Sequence, residues 1–190
     1  MRRPAAFALA ILGATALVPV APAGSSCHVT YVERETPVAV ESRQRTDLRA
    51  PGLAGVRLTI AGRVLDERCR PLPGVLLQFW QTDGNGVYDR AGNRLHGHQY
   101  TDARGRYSVQ TIVPGTYGTR TPHIHVGFRT RGGLQGITEL YLPSTVRAYG
   151  MDVGTLNARD GWFDERNVLR LGPRRGNGYA ATFDFVFARR

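Results

Sequence analysis

From Val56 to Phe187, apolar residues recur at every second position in short runs, and Gly- or Pro-bearing turns separate the runs. A period of two is the mark of a strand with one buried face, because successive side chains point to opposite sides of a sheet. Val56, Leu58, Ile60, Gly62 and Val64 make the first run, and Val75, Leu77 and Phe79 the second. Tyr107, Val109, Thr111 and Val113 follow, then Ile124, Val126 and Phe128, then Ile137–Leu142, and last Phe183, Phe185 and Phe187. Asp83-Gly84-Asn85-Gly86, Asp102-Ala103-Arg104-Gly105 and Pro114-Gly115 carry the residues that turns require. Only Trp162–Leu171 has room for a short helix. The pattern predicts an all-β fold: a single-domain β-sandwich over residues 55–190, with long loops and little helix. A chain of 190 residues that is 42% hydrophobic can fill one such core but not two.

The segment before the strands divides in two. Arg2 and Arg3 precede the apolar, Ala-rich stretch Ala5–Val18, and Ala21-Pro22-Ala23 offers the small residues that a signal peptidase reads. Residues 1–23 are therefore expected to be a signal peptide, and the mature chain to be exported to a periplasmic or extracellular space. The apolar stretch is short for a membrane span, so no stable membrane insertion is expected after cleavage; an uncleaved anchor is the competing outcome. Residues 24–54 read as an irregular N-terminal arm, broken by Pro37, Pro51 and Gly52. The two cysteines, Cys27 and Cys69, form an even pair in an exported chain and read as one disulfide, against two unrelated buried thiols.

The chain has no Lys; its 25 basic residues are all Arg and outnumber the 15 acidic residues, for a net charge of +10. That balance favours anionic ligands or surfaces. The arginines are scattered, with no basic run of five and no zinc-finger spacing, so no nucleic-acid partner is expected.

His123-Ile124-His125 on a strand puts two imidazoles on one face, the one opposite Ile124 and Val126, and supplies half of a metal site. Without more context such a pair is more often a polar strand face than a ligand pair. His96-Gly97-His98 is a second pair, in a stretch that reads as loop, which keeps a four-His, cupin-like site in view.

The surroundings of the first pair carry more. Pro114-Gly115-Thr116-Tyr117, then Arg120-Thr121-Pro122-His123-Ile124-His125, stand downstream of Pro71-Leu72-Pro73-Gly74, Trp80-Gln81-Thr82-Asp83 and Gly86-Val87-Tyr88. In this order, from about Arg45 to Phe187, the chain resembles the intradiol ring-cleavage dioxygenases, the family of protocatechuate and catechol dioxygenases, in their short exported form. The resemblance implies one Fe(III) ion held by Tyr88, Tyr117, His123 and His125, with Arg120 beside the substrate as a charge stabiliser. It implies Tyr117 as a second catalytic residue that accepts a substrate proton, and a small catechol and O2 as the reactants. Phenolates suit iron in its higher oxidation state, being hard anionic donors. The chain departs from the family twice. Residues 30–40 lack the Thr-x-Gly-Pro-aromatic stretch, and Glu139 stands where the family often has Gln.

A second reading remains. Gly62–Asp66 followed by Pro71–Gly74 is also similar to carboxypeptidase-regulatory and transthyretin-like sandwiches, which bind without catalysing, but that likeness ends before Tyr117. The choice of catechol, the oligomeric state and the roles of His96, His98 and Glu139 stay open in the sequence.

Overall fold

The computed structural model describes residues 27–40, 42–89 and 94–188, so the expected signal segment lies outside it. Its strands are β1 (Arg57–Asp66), β2 (Leu76–Trp80), β3 (His96–Tyr100), β4 (Arg106–Ile112) and β5 (His123–Arg129). They continue with β6 (Gln135–Tyr141), β7 (Arg170–Leu171), β8 (Gly178–Thr182) and β9 (Phe185–Phe187). One sheet has the order β4-β1-β8-β7, with β9 also on β1, and the other has the order β3-β2-β5-β6. The two sheets make the all-β sandwich that the alternation predicts. The inward residues of β1 and β4 (Leu58, Ile60, Val64, Val109) and of β2 and β5 (Leu77, Phe79, Ile124, Val126, Phe128) belong to one buried cluster. Each such side chain contributes about 1.5–3 kcal/mol on leaving water, so this layer supplies most of the driving force.

The last run differs from a single strand. Β8 pairs with Arg57–Ala61 and β9 with Val64–Asp66, and between them Phe183 and Asp184 leave the ladder. Here the Asp184 carboxylate accepts the Arg63 N–H at 2.8 Å in place of a backbone carbonyl. Gly62 is required at this crossing, because a Cβ there would overlap the Phe183 carbonyl oxygen.

Two elements correct the sequence reading. His96–Tyr100 is a strand and not a loop, paired along its whole length with β2. The helix is α1 (Val153–Arg159), while 162–171 holds a 3₁₀ turn, Glu165–Asn167, and the short strand β7. Seven residues are too few for a periodic apolar stripe to be read. The local signal is Asp152, whose side chain caps the helix by accepting from Thr155 N at 3.2 Å.

Residues 27–54 carry only isolated bridges, yet they are bound down on both sheets. Thr30 N donates to Val186 O, Arg34 bridges Ile137, Arg45 N donates to His98 O, and Leu48 N donates to Gln110 O. Leu48 is fully buried. Cys27 and Cys69 are joined in a disulfide, Cα–Cα 5.4 Å, which fastens the start of the arm to the turn after β1. Among the described residues no helix is long and apolar enough to cross a membrane.

Candidate metal centre

The outer face of the β3-β2-β5-β6 sheet carries a row of polar and aromatic side chains in direct register. His96 pairs with Trp80, Trp80 with His125, and His125 with Glu139. Two residues along β5, His123 pairs with Tyr141. Because Ile124 and Val126 occupy the core, both imidazoles must point to this outer face, as the i, i+2 spacing requires.

The loops bring a phenol to them. Tyr88 follows the Asp83–Gly86 turn, and Tyr88 Oη lies 3.1 Å from His125 Nε2 and 3.5 Å from His123 Nε2. The two Nε2 atoms are 3.3 Å apart. That turn packs tightly on the Pro114–Tyr117 segment. A Cβ on Gly86, whose φ is +79°, would overlap the Thr116 carbonyl oxygen, and one on Gly115 would lie 2.6 Å from Gly84 O. Two glycines thus let the two tyrosine-bearing loops touch.

Tyr117 sits beside Tyr88, ring centroids 5.2 Å apart, at the wall of the same pocket. Tyr117 is 44% exposed. So Tyr88, His123 and His125 converge, while Tyr117 stands one step outward. The pocket has a volume of about 420 Å³, and Trp80, Leu95, His96 and Arg120 complete the wall beside the donors. Trp80 stacks on His125 at 4.8 Å between centroids and stands between that ring and His96 in register. His98 turns to Ser42 Oγ at 3.1 Å. The four histidines therefore do not share one site.

The protonation pattern fits a bound cation. His123 Nδ1 lies 2.7 Å from the Thr121 carbonyl, which can only accept, so this nitrogen carries the proton and Nε2 presents a lone pair. Burial pushes the His125 pKa down to about 4, so this ring is neutral at pH 7. Burial first, then the Glu139 charge, pushes the Tyr88 phenol up to about 12. It can ionise at neutral pH only if a cation compensates. Two imidazoles and a phenol thus bring their donor atoms within hydrogen-bond distance of one another, an arrangement that could hold a metal ion.

Arg120 reaches the pocket from the loop before β5 and is held by two carboxylates. Its Nε lies 3.0 and 2.9 Å from the two Asp160 oxygens, and its Nη2 bonds Glu139 Oε2. Although burial opposes the charge, these bonds raise the guanidinium pKa, and Arg120 stays ionised. Asp160, at the end of α1, also accepts from Thr121 N at 2.8 Å and Trp162 N at 3.0 Å. Sequence reasoning missed Asp160, because it lies in a segment with no periodic pattern. Glu139 was visible only as a departure from the family pattern.

Comparison with known proteins shows the family and the fold. The family model described as Dioxygenase matches residues 29–131, just over half of the chain. The protocatechuate 3,4-dioxygenase beta chain of Burkholderia cepacia is 35% identical over 107 residues, 47% of this chain and 46% of that protein. Hydroxyquinol 1,2-dioxygenase of Rhodococcus opacus is 35% identical over 72 residues, 36% of this chain and 24% of that protein. The chain thus spans less than half the length of either curated relative. Among solved structures, the dioxygenase domain of a dioxygenase carbohydrate-binding protein fusion from Streptomyces sp. SirexAA-E is 38% identical, with a TM-score of 0.74. That match covers 86% of this chain and 100% of the other. An intradiol ring-cleavage dioxygenase from Tetranychus urticae shares the fold at a TM-score of 0.72 and 20% identity, over 84% of this chain and 94% of that one.

Proposed function

The chain belongs to the intradiol ring-cleavage dioxygenase family, and from that premise we propose that it is a non-haem Fe(III) enzyme that opens a catecholic ring between its two hydroxylated carbons. Catechol and O2 combine into one muconate-type diacid, both oxygen atoms of O2 enter the product, and no external reductant is needed. The observation that carries the reading is the convergence of Tyr88 Oη, His123 Nε2 and His125 Nε2 within 3.5 Å of one another.

In this reading Tyr88, Tyr117, His123 and His125 hold the metal. Ferric iron in such a donor set supplies Lewis acidity toward a bound catecholate and a tyrosinate-to-metal absorption in the visible. The remaining steps belong to side chains. Tyr117, exposed and outermost of the four, would as a metal-bound phenolate take a proton from an entering catechol hydroxyl. Trp80 and Leu95 offer apolar wall to an aromatic ring. Arg120, held rigidly by Glu139 and Asp160, presents a fixed positive charge to oxygen atoms that gain negative charge during cleavage. A non-catalytic sandwich module would have no use for a phenol and two imidazoles that converge in one pocket beside a fixed guanidinium.

The test is the full chain expressed with ample iron. We expect a red to purple protein with iron bound, oxygen uptake with small catechols, and products cut between the hydroxylated carbons. Tyr117→Phe should keep some iron, shift the visible band and lower kcat at least a hundredfold. A colourless, iron-free protein, or a Tyr88/Tyr117 double Phe variant with full activity, overturns the reading and favours a binding module.

A further inference from the structure

Glu139 is only 3% exposed and carries its charge directly behind the proposed ligand His125, its cross-strand partner. Each of its oxygens faces a different neighbour. Oε2 accepts from Arg120 Nη2 and lies 2.6 Å from Tyr141 Oη. Oε1 makes no hydrogen bond in the protein as it stands, but lies 3.3 Å from His125 Nδ1. A buried carboxylate oxygen without a donor is costly, and the imidazole nitrogens beside it are His125 Nδ1 at 3.3 Å and His123 Nε2 at 3.7 Å, the first the nearer. With the proton on Nδ1, that oxygen gains a partner and the Nε2 lone pair faces Tyr88 Oη and His123 Nε2. With the proton on Nε2, two lone pairs meet at Nδ1 and Oε1, and that buried oxygen stays without a donor. The second arrangement also blocks the nitrogen that a metal would need. Trp80, stacked 11° from parallel on the same ring, limits its rotation, so the tautomer is the remaining freedom.

We propose that Glu139 is a positioning residue that serves two neighbours from one buried carboxylate: it holds His125 with Nε2 free for the metal, and it holds Arg120 at the pocket wall. The assignment of His125 as a ligand rests on the function proposed above. Glutamine cannot replace both actions. An amide has one acceptor oxygen, and if that faces His125 its NH2 meets the Arg120 guanidinium, donor against donor.

Glu139→Gln and Glu139→Leu therefore separate the two roles. In the full chain loaded with Ga(III), a diamagnetic stand-in for Fe(III), and again without metal, 15N NMR reports which nitrogen of His125 is protonated. Wild type and Glu139→Gln should show the Nδ1 proton, and Glu139→Leu should lose it. Fe(III) affinity should fall 10–100-fold in Glu139→Leu and less than about fivefold in Glu139→Gln. In Glu139→Gln, kcat should fall at least tenfold with iron retained, because Arg120 has lost a partner. Wild-type affinity together with an unchanged His125 tautomer in Glu139→Leu overturns the proposal. So does a carboxylate oxygen bound to iron in the wild type, seen by X-ray absorption, which would make Glu139 a ligand. If the wild type takes up neither metal but the metal-free tautomers follow the expected pattern, the functional reading fails and the positioning role stands. Should Glu139→Leu not fold, Glu139→Gln alone still decides. The His125 tautomer must hold while kcat falls, and an unchanged kcat overturns the Arg120 role.

Discussion

At the residue scale, Arg120 shows how a site group becomes part of the fold. Its guanidinium is 23% exposed, while the two carboxylates it joins are 1% and 3% exposed. Removing it leaves Glu139 and Asp160 as buried anions without a cation between them. Breaking a buried pair from one side costs about 3–5 kcal/mol, far above the value of a surface pair. Arg120→Ala should therefore lower unfolding stability by about that amount, read from urea unfolding of the full chain. Arg120→Lys should recover only part of it, because an ammonium is a point charge and cannot present a planar fork to two carboxylates. A loss of turnover in Arg120→Ala with stability unchanged would show that the two carboxylates do not depend on this cation. The spacing of His123 and His125 shows that the two share one strand face, and the motif around them is what marks that face as a site. Tyr88 and Tyr117 were readable only through resemblance, because they lie in turns, where no periodicity reports direction.

At the element scale, the end of β1 turns on one sealed carboxylate. Asp66 has no exposed side-chain surface and accepts from Arg68 N at 3.0 Å, Arg70 N at 2.9 Å and Arg70 Nε at 2.9 Å. Burial alone would raise its pKa, but these bonds and the Arg70 charge outweigh it and hold the carboxyl below the ordinary carboxylate value. A depressed carboxylate contributes its full stability above its unfolded pKa of about 4 and loses it as pH falls through the folded value. Asp66→Asn should be less stable than wild type by about 1.5–3 kcal/mol at pH 7. That gap should close as pH drops below about 4. Denaturant melts from pH 7 to pH 2 check it, and a gap that stays constant with pH would contradict it. Elements differ in how far they can be read from sequence for a physical reason. Long strands announce themselves, since β1, β4 and β5 repeat the period enough times to be counted. Β3 hid because His96, His98 and Tyr100 share its outer face while Gly97 supplies no apolar side chain inside. Helix α1 hid because a seven-residue helix is held by its cap and by Asn157 Nδ2, which donates to Leu142 O at 3.0 Å, and not by an apolar stripe.

At the scale of the whole molecule, the arm and the disulfide join the site to the rest of the sandwich. The arm crosses the sheet face that bears the proposed ligands. Arg34 bridges β6, Val38 packs near Gly127, and Arg45 Nη2 donates to His96 O at 2.6 Å. Its start is tied through Cys27 to Cys69, 42 residues away in sequence. A bond of this kind is kept in an oxidising compartment, so we propose that the mature chain is exported after Ala23 and begins at Gly24. N-terminal sequencing of protein from outside the cytoplasm tests that start, and recovery of intact Met1 in the membrane fraction would show an anchor instead. Closing a loop of this length restricts the unfolded chain by about 4 kcal/mol at most. For a chain of this size each kcal/mol is worth roughly 2–4 °C in Tm, so reduction should lower Tm by up to roughly 8–16 °C. The loss should begin locally, because Cys27 N reaches Glu67 O at 3.3 Å and Thr30 N reaches Val186 O at 3.0 Å right beside the bridge. Calorimetry with and without reductant gives the first number, and amide exchange of the reduced chain gives the second, with residues 27–34 opening ahead of β5 and β6. Equal Tm in both states, or exchange that rises first at His123–Arg129, would show that the arm does not depend on this bridge to stay on the sheet.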